Sequence, residues 1–413
     1  MTATKNWVLG GLLALTASGC TGCFGDDNTP VNDPNSNLPT ACEAIAPEIT
    51  PPKLDVLFVI DNSNSMREEQ EAVARELTAF IDELSKGGGV STDFNIGVIT
   101  TAVYQQVLFQ GTKYYRDYPS QAGRLQPVPN VLPDGGLDLG SGTERLLKGS
   151  DPNLIDKFQR LVRVGTSGSG QETPFEAIRL ALSPPLITTD LANNGNQEFL
   201  RDGARLLIVV LTDEDDCSEM VRPPRVTIGD QPNVNECTGQ ANTLATVREY
   251  YDFLRGLTNA DGRPKDVIYT AIAPVGQSTK AAQEIIDMNQ VRNIDCPTSN
   301  QAGYRMRAMA ELWDSSLVNL DSICRASFRD TLRTIASLAN VSQVLEVSKI
   351  PDPNLLQVRI VRGSGQLLTC TMSRGLEGYT EGVGGAKSSI RFGAECQRRA
   401  DDLSVDIRLL CIE

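Results

Sequence analysis

The sequence predicts an α/β fold, a doubly wound, mostly parallel sheet flanked by helices, with a small β-rich appendage at the C-terminus. Several apolar, β-branched runs have the pattern of strands that are buried on both faces of a sheet. Amphipathic segments, with apolar residues three and four positions apart, alternate with these runs. From residue 348 onward, short strand patterns follow one another without helices between them.

Composition excludes several classes of protein. The 413 residues include 38 Lys and Arg and 52 Asp and Glu, which gives a formal charge of −14. The chain contains no histidine, so Ser-His-Asp triads, Cys-His pairs and histidine-containing zinc sites are excluded. Because nucleic-acid binding requires clustered Lys and Arg, the acidic balance predicts no nucleic-acid partner.

The N-terminus has the pattern of an export signal over residues 1–19. Lys5 precedes the short apolar stretch 8–15, and small residues lead to Cys20. The segment Ala17-Ser18-Gly19-Cys20 resembles a bacterial lipobox, which implies that Cys20 is lipidated. The expected location is therefore the outer membrane, facing the periplasm or the surface, with membrane contact through the lipid anchor alone. Plain secretion is the alternative.

Residues 20–52 are rich in Asp, Asn and Pro and predict a flexible tether. The ten cysteines suit an oxidising compartment. Lipidation of Cys20 leaves an odd number of cysteines for disulfide pairing, and Cys23 is the candidate for the unpaired thiol. Sequence proximity favours two disulfides, Cys217 with Cys237 and Cys296 with Cys324. The other candidate disulfide cysteines are Cys42, Cys370, Cys396 and Cys411.

The elements follow in chain order from residue 53. A strand over 54–60 ends in a polar loop, and a helix is predicted over 66–85. The further strands are predicted at 94–101, 204–212, 266–274 and 342–347, and the further helices at 153–162, 174–182, 243–257, 280–288 and 327–338. These elements define a main domain over 53–347 with long loop insertions. In the C-terminal region, 348–413, strands are predicted at 355–361, 367–372, 388–392 and 403–410.

Polar residues follow two of the predicted buried strands. Asp61, Ser63 and Ser65 come directly after the first, and Thr212-Asp213 ends a later one. The carboxyl ends of parallel strands share one edge of the sheet, where open α/β folds bind their ligands. This pattern, within residues 53–347, resembles the von Willebrand factor type A domain and its metal-ion-dependent adhesion site.

The resemblance implies a Rossmann-like sheet and a cation, Mg²⁺ or Mn²⁺, held by Asp61, Ser63, Ser65 and Asp213. Ca²⁺ is an alternative ion. Hard divalent cations prefer oxygen ligands of these types. The family's loop-two threonine position is occupied by Glu172, and Thr173 lies one residue later. Both are candidate ligands, and Glu172 is preferred because it holds the family's position relative to the following helix.

The resemblance further implies a binding module and no enzyme. The expected function is metal-dependent protein–protein interaction or adhesion, in which an acidic residue of an unidentified protein ligand completes the metal coordination. In one alternative, a structural envelope protein, the metal only braces the loops, and the insertions or the tail make the contacts. In another, a metal-assisted hydrolase uses Asp61 or Glu172 as base. The neighbouring Asp215 and Asp216 are interpreted as a solvated acidic rim, with weak calcium binding as the alternative.

Overall fold

The computed structural model describes residues 41–45, 53–86, 93–229, 237, 241–287, 290–299, 301–382, 387–399 and 401–410. In this part of the chain the α-helices α1 to α6 are, in order, Arg67–Lys86, Leu154–Leu161, Pro174–Ala181, Val247–Arg255, Tyr304–Trp313 and Arg329–Ala339. The strands β1 to β20 are Ala41–Ile45, Leu54–Ile60, Phe94–Thr100, Tyr104–Phe109, Thr112–Asp117, Asn130–Val131, Leu137–Asp138, Leu147–Lys148, Arg205–Leu211, Ile228–Gly229, Val267–Ala273, Glu284–Asp287, Gln290–Asn293, Leu320–Ser322, Val344–Val347, Leu356–Val361, Leu367–Thr371, Leu376–Thr380, Ser388–Phe392 and Ser404–Leu410. No described helix combines the length and the apolar character that a membrane crossing requires.

Six strands form the sheet that carries the candidate site. Their order across the sheet is β14-β11-β9-β2-β3-β8, and neighbours are parallel except β8, which is antiparallel to β3. Strands β2, β3, β9 and β11 are buried along their whole lengths, which explains their nearly continuous apolar sequences. The register of β2 with β9 runs from Leu54↔Arg205 to Ile60↔Leu211. Asp61 and Thr212 therefore begin adjacent loops at one edge.

Apolar side chains pack against both faces of this sheet. Helices α1, α2 and α6 contribute to one cluster, in which the Phe58 ring centroid lies 5.4 Å from that of Phe80 and 5.1 Å from that of Phe158. Helices α3, α4 and α5 contribute to the other cluster. Each large apolar side chain removed from water stabilises the fold by about 1.5–3 kcal/mol. The clusters therefore hold the helices, and with them the loops at the sheet edge, in fixed positions.

The predicted fold class, a doubly wound sheet with one small β appendage, is wrong. The described residues form a mixed α/β arrangement of six sheets. Beside the six-stranded sheet these are β1-β20-β16-β17, β15-β19-β18, β10-β4-β5, β12-β13 and β6-β7. The physical reason lies in the insertions between the parallel strands, which pair with themselves as hairpins instead of extending a single parallel sheet. A Rossmann-like description therefore does not fit this chain.

Three individual elements also differ from the sequence prediction. The segment 280–288, predicted as a helix, contains β12, which pairs antiparallel with β13. The strand predicted at 342–347 is present as β15, but it pairs with β19 in a separate sheet. Helix α5 lies within one of the predicted loop insertions. The exposed, β-branched pair Ile285 and Ile286 explains the first difference, because such residues favour a strand over a helix.

The C-terminal strands are confirmed at β16, β17, β19 and β20, and β18 is additional. They enclose an apolar cluster of their own, and the disulfide Cys370–Cys396 joins β17 to the turn that follows β19. Strand β1, from the segment predicted to be a flexible tether, pairs antiparallel with β20. The predicted lipidation at Cys20, the proposed free thiol Cys23 and the candidate Cys411 lie outside the described residues, as does the side chain of Cys42.

Candidate metal centre

Asp61 organises the first loop of the candidate site. Its side chain is completely buried. Its Oδ1 accepts a hydrogen bond from the Ser63 backbone N–H at 2.7 Å, and its Oδ2 accepts one from the Thr212 hydroxyl at 2.8 Å. The hydroxyls of Ser63 and Ser65 lie 3.1 Å apart. Asp61 therefore links the loop after β2 to the loop after β9, as the parallel register requires.

Gln70, on the first helix, ties the first loop to the second. Its Nε2 donates to the backbone carbonyls of Asp61 and Gly165, each at 2.9 Å. The glycine-rich run that begins at Gly165 lies against loop one so closely that a Cβ at Gly168 would be 2.1 Å from Asn62 Oδ1. The close packing of the Asn62 side chain against the Gly168 backbone explains the glycine at this position.

Glu172 and Thr173 contact different groups of Thr101. Glu172 is 1% exposed; its Oε2 accepts a hydrogen bond from the Thr101 hydroxyl, and no described residue donates a hydrogen bond to its Oε1. The Thr173 hydroxyl instead donates to the Thr101 backbone carbonyl at 2.7 Å. Thr173 is thus engaged in holding the loop, whereas Glu172 presents an unpaired buried oxygen.

Asp213 brings a second unpaired oxygen to the same place. Its Oδ1 is buried and has no hydrogen-bond partner among the described residues, and Ser65 donates a hydrogen bond to its carboxylate. The Ser299 hydroxyl donates to the Asp213 backbone carbonyl, which fixes the third loop. The structure therefore brings the predicted residues Asp61, Ser65, Glu172 and Asp213 into mutual proximity.

The carboxylates at this edge influence one another. Burial, and then the negative charge of Asp61, raise the pKa of Glu172 well above its usual value. The same two causes raise the pKa of Asp213 to about 7. Burial also raises the pKa of Asp61, against the hydrogen bonds from Ser63 and Thr212. Concentrated, desolvated negative charge of this kind marks a functional site more often than ordinary surface does.

Two further carboxylates belong to this site. Glu69 has a buried Oε2 to which no residue in the described part of the chain is hydrogen-bonded, and burial followed by the charge of Asp213 raises its pKa. Glu214 adds to the charge that acts on Glu172. Glu69 is not recognisable as a site residue from its sequence position, because an acidic residue in the first turn of a helix is explained by the helix dipole alone.

The donor set suits a hard cation. It consists of carboxylate and hydroxyl oxygens, and these are ligand types that Mg²⁺, Mn²⁺ and Ca²⁺ prefer. Three of the carboxylate oxygens, Glu69 Oε2, Glu172 Oε1 and Asp213 Oδ1, are buried without a hydrogen-bond partner among the described residues. Within the described residues no group of three or more acidic or cysteine side chains is arranged to hold a metal ion by itself. Binding would therefore depend on the serine hydroxyls as well as on the carboxylates.

The interpretation of Asp215 and Asp216 as a solvated acidic rim is wrong. They are 1% and 0% exposed. Asp215 accepts hydrogen bonds from the backbone N–H groups of Arg305 and Met306 at the start of α5. Asp216 accepts from the Phe175 backbone N–H, at the start of α3, and from Arg305 Nε at 3.0 Å. Their carboxylates serve to anchor two helix N-termini, and burial raises the pKa of Asp215 to about 7 despite Arg305.

Two disulfides brace the loops of the site. Cys217–Cys237 and Cys296–Cys324 are present, which confirms the two pairs that sequence proximity favoured. The Cys217 backbone N–H donates to the Glu172 carbonyl at 2.7 Å, so the cysteine that carries the first disulfide is itself hydrogen-bonded to loop two. Cys296 lies three residues before Ser299, which holds Asp213, so the second disulfide supports loop three from the other side.

No protein-family model matches the chain, and no curated protein matches it. Among solved structures it is similar to proximal thread matrix protein 1 from the mussel byssus, with a TM-score of 0.32, 12% identity, 71% of this chain covered and 50% of that one. For the pilus adhesin SpaC from Lactobacillus rhamnosus GG the TM-score is 0.31 at 11% identity, with 93% of this chain and 46% of that chain covered. For the pilus adhesin RrgA from Streptococcus pneumoniae the TM-score is 0.27 at 9% identity, with 89% of this chain and 57% of that chain covered. The chain spans about half the length of these proteins, and at such TM-scores the likeness supports no functional conclusion.

Proposed function

We propose that this is an exported, lipid-anchored envelope protein that binds a divalent cation at the edge formed by the loops after β2 and β9. The cation site serves metal-dependent protein binding or adhesion. The observation that supports the proposal best is the pair of unpaired, buried oxygens, Glu172 Oε1 and Asp213 Oδ1, beside Asp61. Buried carboxylates without a counter-charge are costly, and a bound cation removes that cost.

Asp61, Ser63, Ser65, Glu172 and Asp213 are the residues that would hold the ion. Glu172 is preferred to Thr173 as the ligand from loop two, because Glu172 supplies a negative charge and a buried Oε1 that accepts no hydrogen bond from a described residue, whereas the Thr173 hydroxyl donates to the Thr101 carbonyl. When bound, the cation supplies positive charge and an open coordination position for an oxygen of the protein ligand. This assignment follows the residue pattern that resembles the metal-ion-dependent adhesion site, with a glutamate in place of the threonine of loop two.

Glu172→Ala is expected to weaken Mn²⁺ binding much more than Thr173→Ala does. The first substitution removes a charged ligand, and we expect a loss of about 10–100-fold in affinity. The second removes a hydrogen bond that lies behind the site and leaves all the carboxylates in place. Calorimetric titration of both variants and the wild type with Mn²⁺ measures the difference.

The two variants are matched, since they are neighbours in one loop and both side chains are buried. Thermal melting in EDTA shows whether either one has lost its fold. If Thr173→Ala were the variant with the greater loss of Mn²⁺ affinity while melting normally, the assignment of Glu172 as the loop-two ligand would be refuted.

Removal of the Cys217–Cys237 disulfide is expected to lower both stability and cation affinity. The cysteines are separated by 20 positions, and closing a loop of this size stabilises a fold by about 3 kcal/mol. Because Cys217 also holds Glu172 through its backbone, the Cys217→Ser/Cys237→Ser variant should bind Mn²⁺ roughly tenfold more weakly. Chemical denaturation and Mn²⁺ titration test both effects.

The matched control is the Cys370→Ser/Cys396→Ser variant. This disulfide has a similar sequence separation of 26 but belongs to the C-terminal apolar cluster. Removal of this disulfide should lower the free energy of unfolding to a similar extent and leave the Mn²⁺ affinity unchanged. Equal losses of Mn²⁺ affinity in both double variants would show that the first disulfide has no specific connection with the site.

A further inference from the structure

An exposed β-hairpin, formed by β4 and β5, rises from the same edge of the sheet as the candidate metal centre. Its base is well anchored. Tyr104 is completely buried and its hydroxyl accepts from the Glu219 backbone N–H at 2.6 Å. Gln106 Nε2 donates to the Pro224 carbonyl at 2.8 Å, and β10 pairs with β4 in parallel. The hairpin is therefore positioned by the rest of the molecule at its base and along one side.

The other side of the hairpin is open. In the sheet order β10-β4-β5 the strand β5 lies at the edge, and all six of its residues are exposed. No strand in the described part of the chain pairs with its outer side. An open strand edge of this kind presents backbone donors and acceptors to which another extended segment can add.

The register shows which backbone groups face outward. Gln110 and Gly111, with φ of 49° and 77°, form the two-residue turn that joins the pair Phe109↔Thr112. In such a hairpin the pair of residues next to the turn is hydrogen-bonded, and hydrogen-bonded and non-hydrogen-bonded pairs then alternate along the strands. The N–H and C=O groups of Lys113, Tyr115 and Asp117 are therefore directed away from β4 and available to a further strand.

The side chains of the hairpin combine aromatic surface with positive charge. Phe109, Tyr114 and Tyr115 are 50%, 55% and 41% exposed. Lys113 and Arg116 are exposed on β5, and Arg222 lies 3.9 Å from Asp117, which is the acidic residue of the strand. The outer surface of the hairpin is therefore locally positive, although the chain as a whole has a net charge of −14.

We infer that the outer edge of β5 binds an extended acidic segment of a partner protein as an added β-strand. Backbone hydrogen bonds to Lys113, Tyr115 and Asp117 give the binding its strand geometry. Acidic side chains of the partner pair with Lys113 and Arg116, which lie on opposite faces of β5 and three positions apart. The partner residues opposite them are consequently also three apart, so the segment carries two acidic residues separated by three positions. This binding does not require the cation.

A labelled peptide of three Thr-Val-Glu repeats tests the inference, since it has the acidic spacing that the register requires. Fluorescence anisotropy with the full chain in excess EDTA should show saturable binding. The corresponding Thr-Val-Lys peptide should bind at least about fivefold more weakly, because two charge pairs are replaced by repulsion. The Lys113→Glu/Arg116→Glu variant should reverse this preference.

The backbone contribution has its own test. The Thr-Val-Glu peptide with N-methyl groups on two adjacent central amides, one facing each edge, should lose binding although its charge is unchanged. Tyr115→Pro should have the same effect, because it removes an outward N–H and leaves the hydrogen bonds to β4 in place. Equal binding of the methylated peptide, equal binding of the lysine peptide or no saturation at about 1 mM peptide would each overturn the inference.

The use of EDTA keeps this result separate from that of the proposed function. If the chain failed to bind Mn²⁺ but bound the acidic peptide, the proposed function would fail and the strand-addition site would stand. If peptide binding were lost in EDTA and restored by Mn²⁺, the hairpin would not be the binding surface, and the inference would be refuted.

Discussion

Asp61→Ala is expected to abolish Mn²⁺ binding, with a loss of at least about 100-fold in affinity. Asp61 accepts hydrogen bonds from the Ser63 backbone N–H in its own loop and from the Thr212 hydroxyl in the loop after β9, and its charge raises the pKa of Glu172 and Asp213. Its removal takes away a ligand and releases the loops that hold the others. Calorimetric titration with Mn²⁺ measures the loss, and Asp252→Ala, at an exposed position on α4, is the control.

Substitution of Asp61 by Asn also distinguishes a metal-binding site from a carboxylate cluster that has only a structural role. With Mn²⁺ at about 100 times its dissociation constant, the wild type should gain about 2.7 kcal/mol of stability. Asp61→Asn should show no such gain. In EDTA, however, Asp61→Asn should melt at or above the wild-type temperature, because it relieves repulsion between buried carboxylates. A strong destabilisation in EDTA, together with no Mn²⁺ effect on the wild type, would contradict the metal proposal.

Retention of a partner protein distinguishes binding through the cation from bracing by it. Immobilised wild-type protein is incubated with cell-envelope extract in Mn²⁺ and in EDTA, with Asp61→Ala alongside. A partner that is held in Mn²⁺ and lost in both EDTA and the Asp61→Ala variant supports coordination by the partner. A partner that is retained in all three conditions supports the alternative in which the metal braces the loops and the insertions make the contacts.

The buried parallel strands were predictable because burial on both faces leaves a direct trace in the sequence. Leu54–Ile60 and Arg205–Leu211 are almost continuously apolar, and the structure places both in the central sheet. The proximity of the loops after these strands was predictable from the parallel register, which brings Asp61 and Thr212 together. Local sequence was sufficient here because each strand carries its own evidence.

Other features depend on long-range contacts and could not be predicted. Asp215 and Asp216 resemble a solvated acidic run in sequence, yet they are buried because Arg305 and the N-termini of α3 and α5 surround them. Glu69 is part of the site only because α1 starts beside Asp213. The overall fold class was predicted wrongly for a related reason, since nothing local indicates whether an insertion pairs with itself or joins a sheet.

Arg201→Ala is expected to give the largest loss of stability away from the site. Asp55 is fully buried in β2, and Arg201 contacts it twice, through Nε at 2.7 Å and through its backbone N–H at 2.8 Å. Removal of one partner leaves a buried charge uncompensated, which costs about 3–5 kcal/mol. Chemical denaturation at neutral pH measures the change. Arg248→Ala, which breaks an exposed pair with Asp252, should cost less than about 1 kcal/mol.

The loss in Arg201→Ala should depend on pH in a defined direction. Burial outweighs Arg201 and raises the pKa of Asp55 from 3.8 to about 6. Because the folded-state pKa lies above the unfolded value, the protonated form favours folding, and this contribution is complete below 3.8 and disappears as the pH rises through 6. Without Arg201 the pKa rises further, so protonation relieves more of the penalty. The difference in unfolding free energy between wild type and Arg201→Ala should therefore be smaller at acidic than at neutral pH, whereas a difference that is constant with pH would show that Arg201 acts through packing alone.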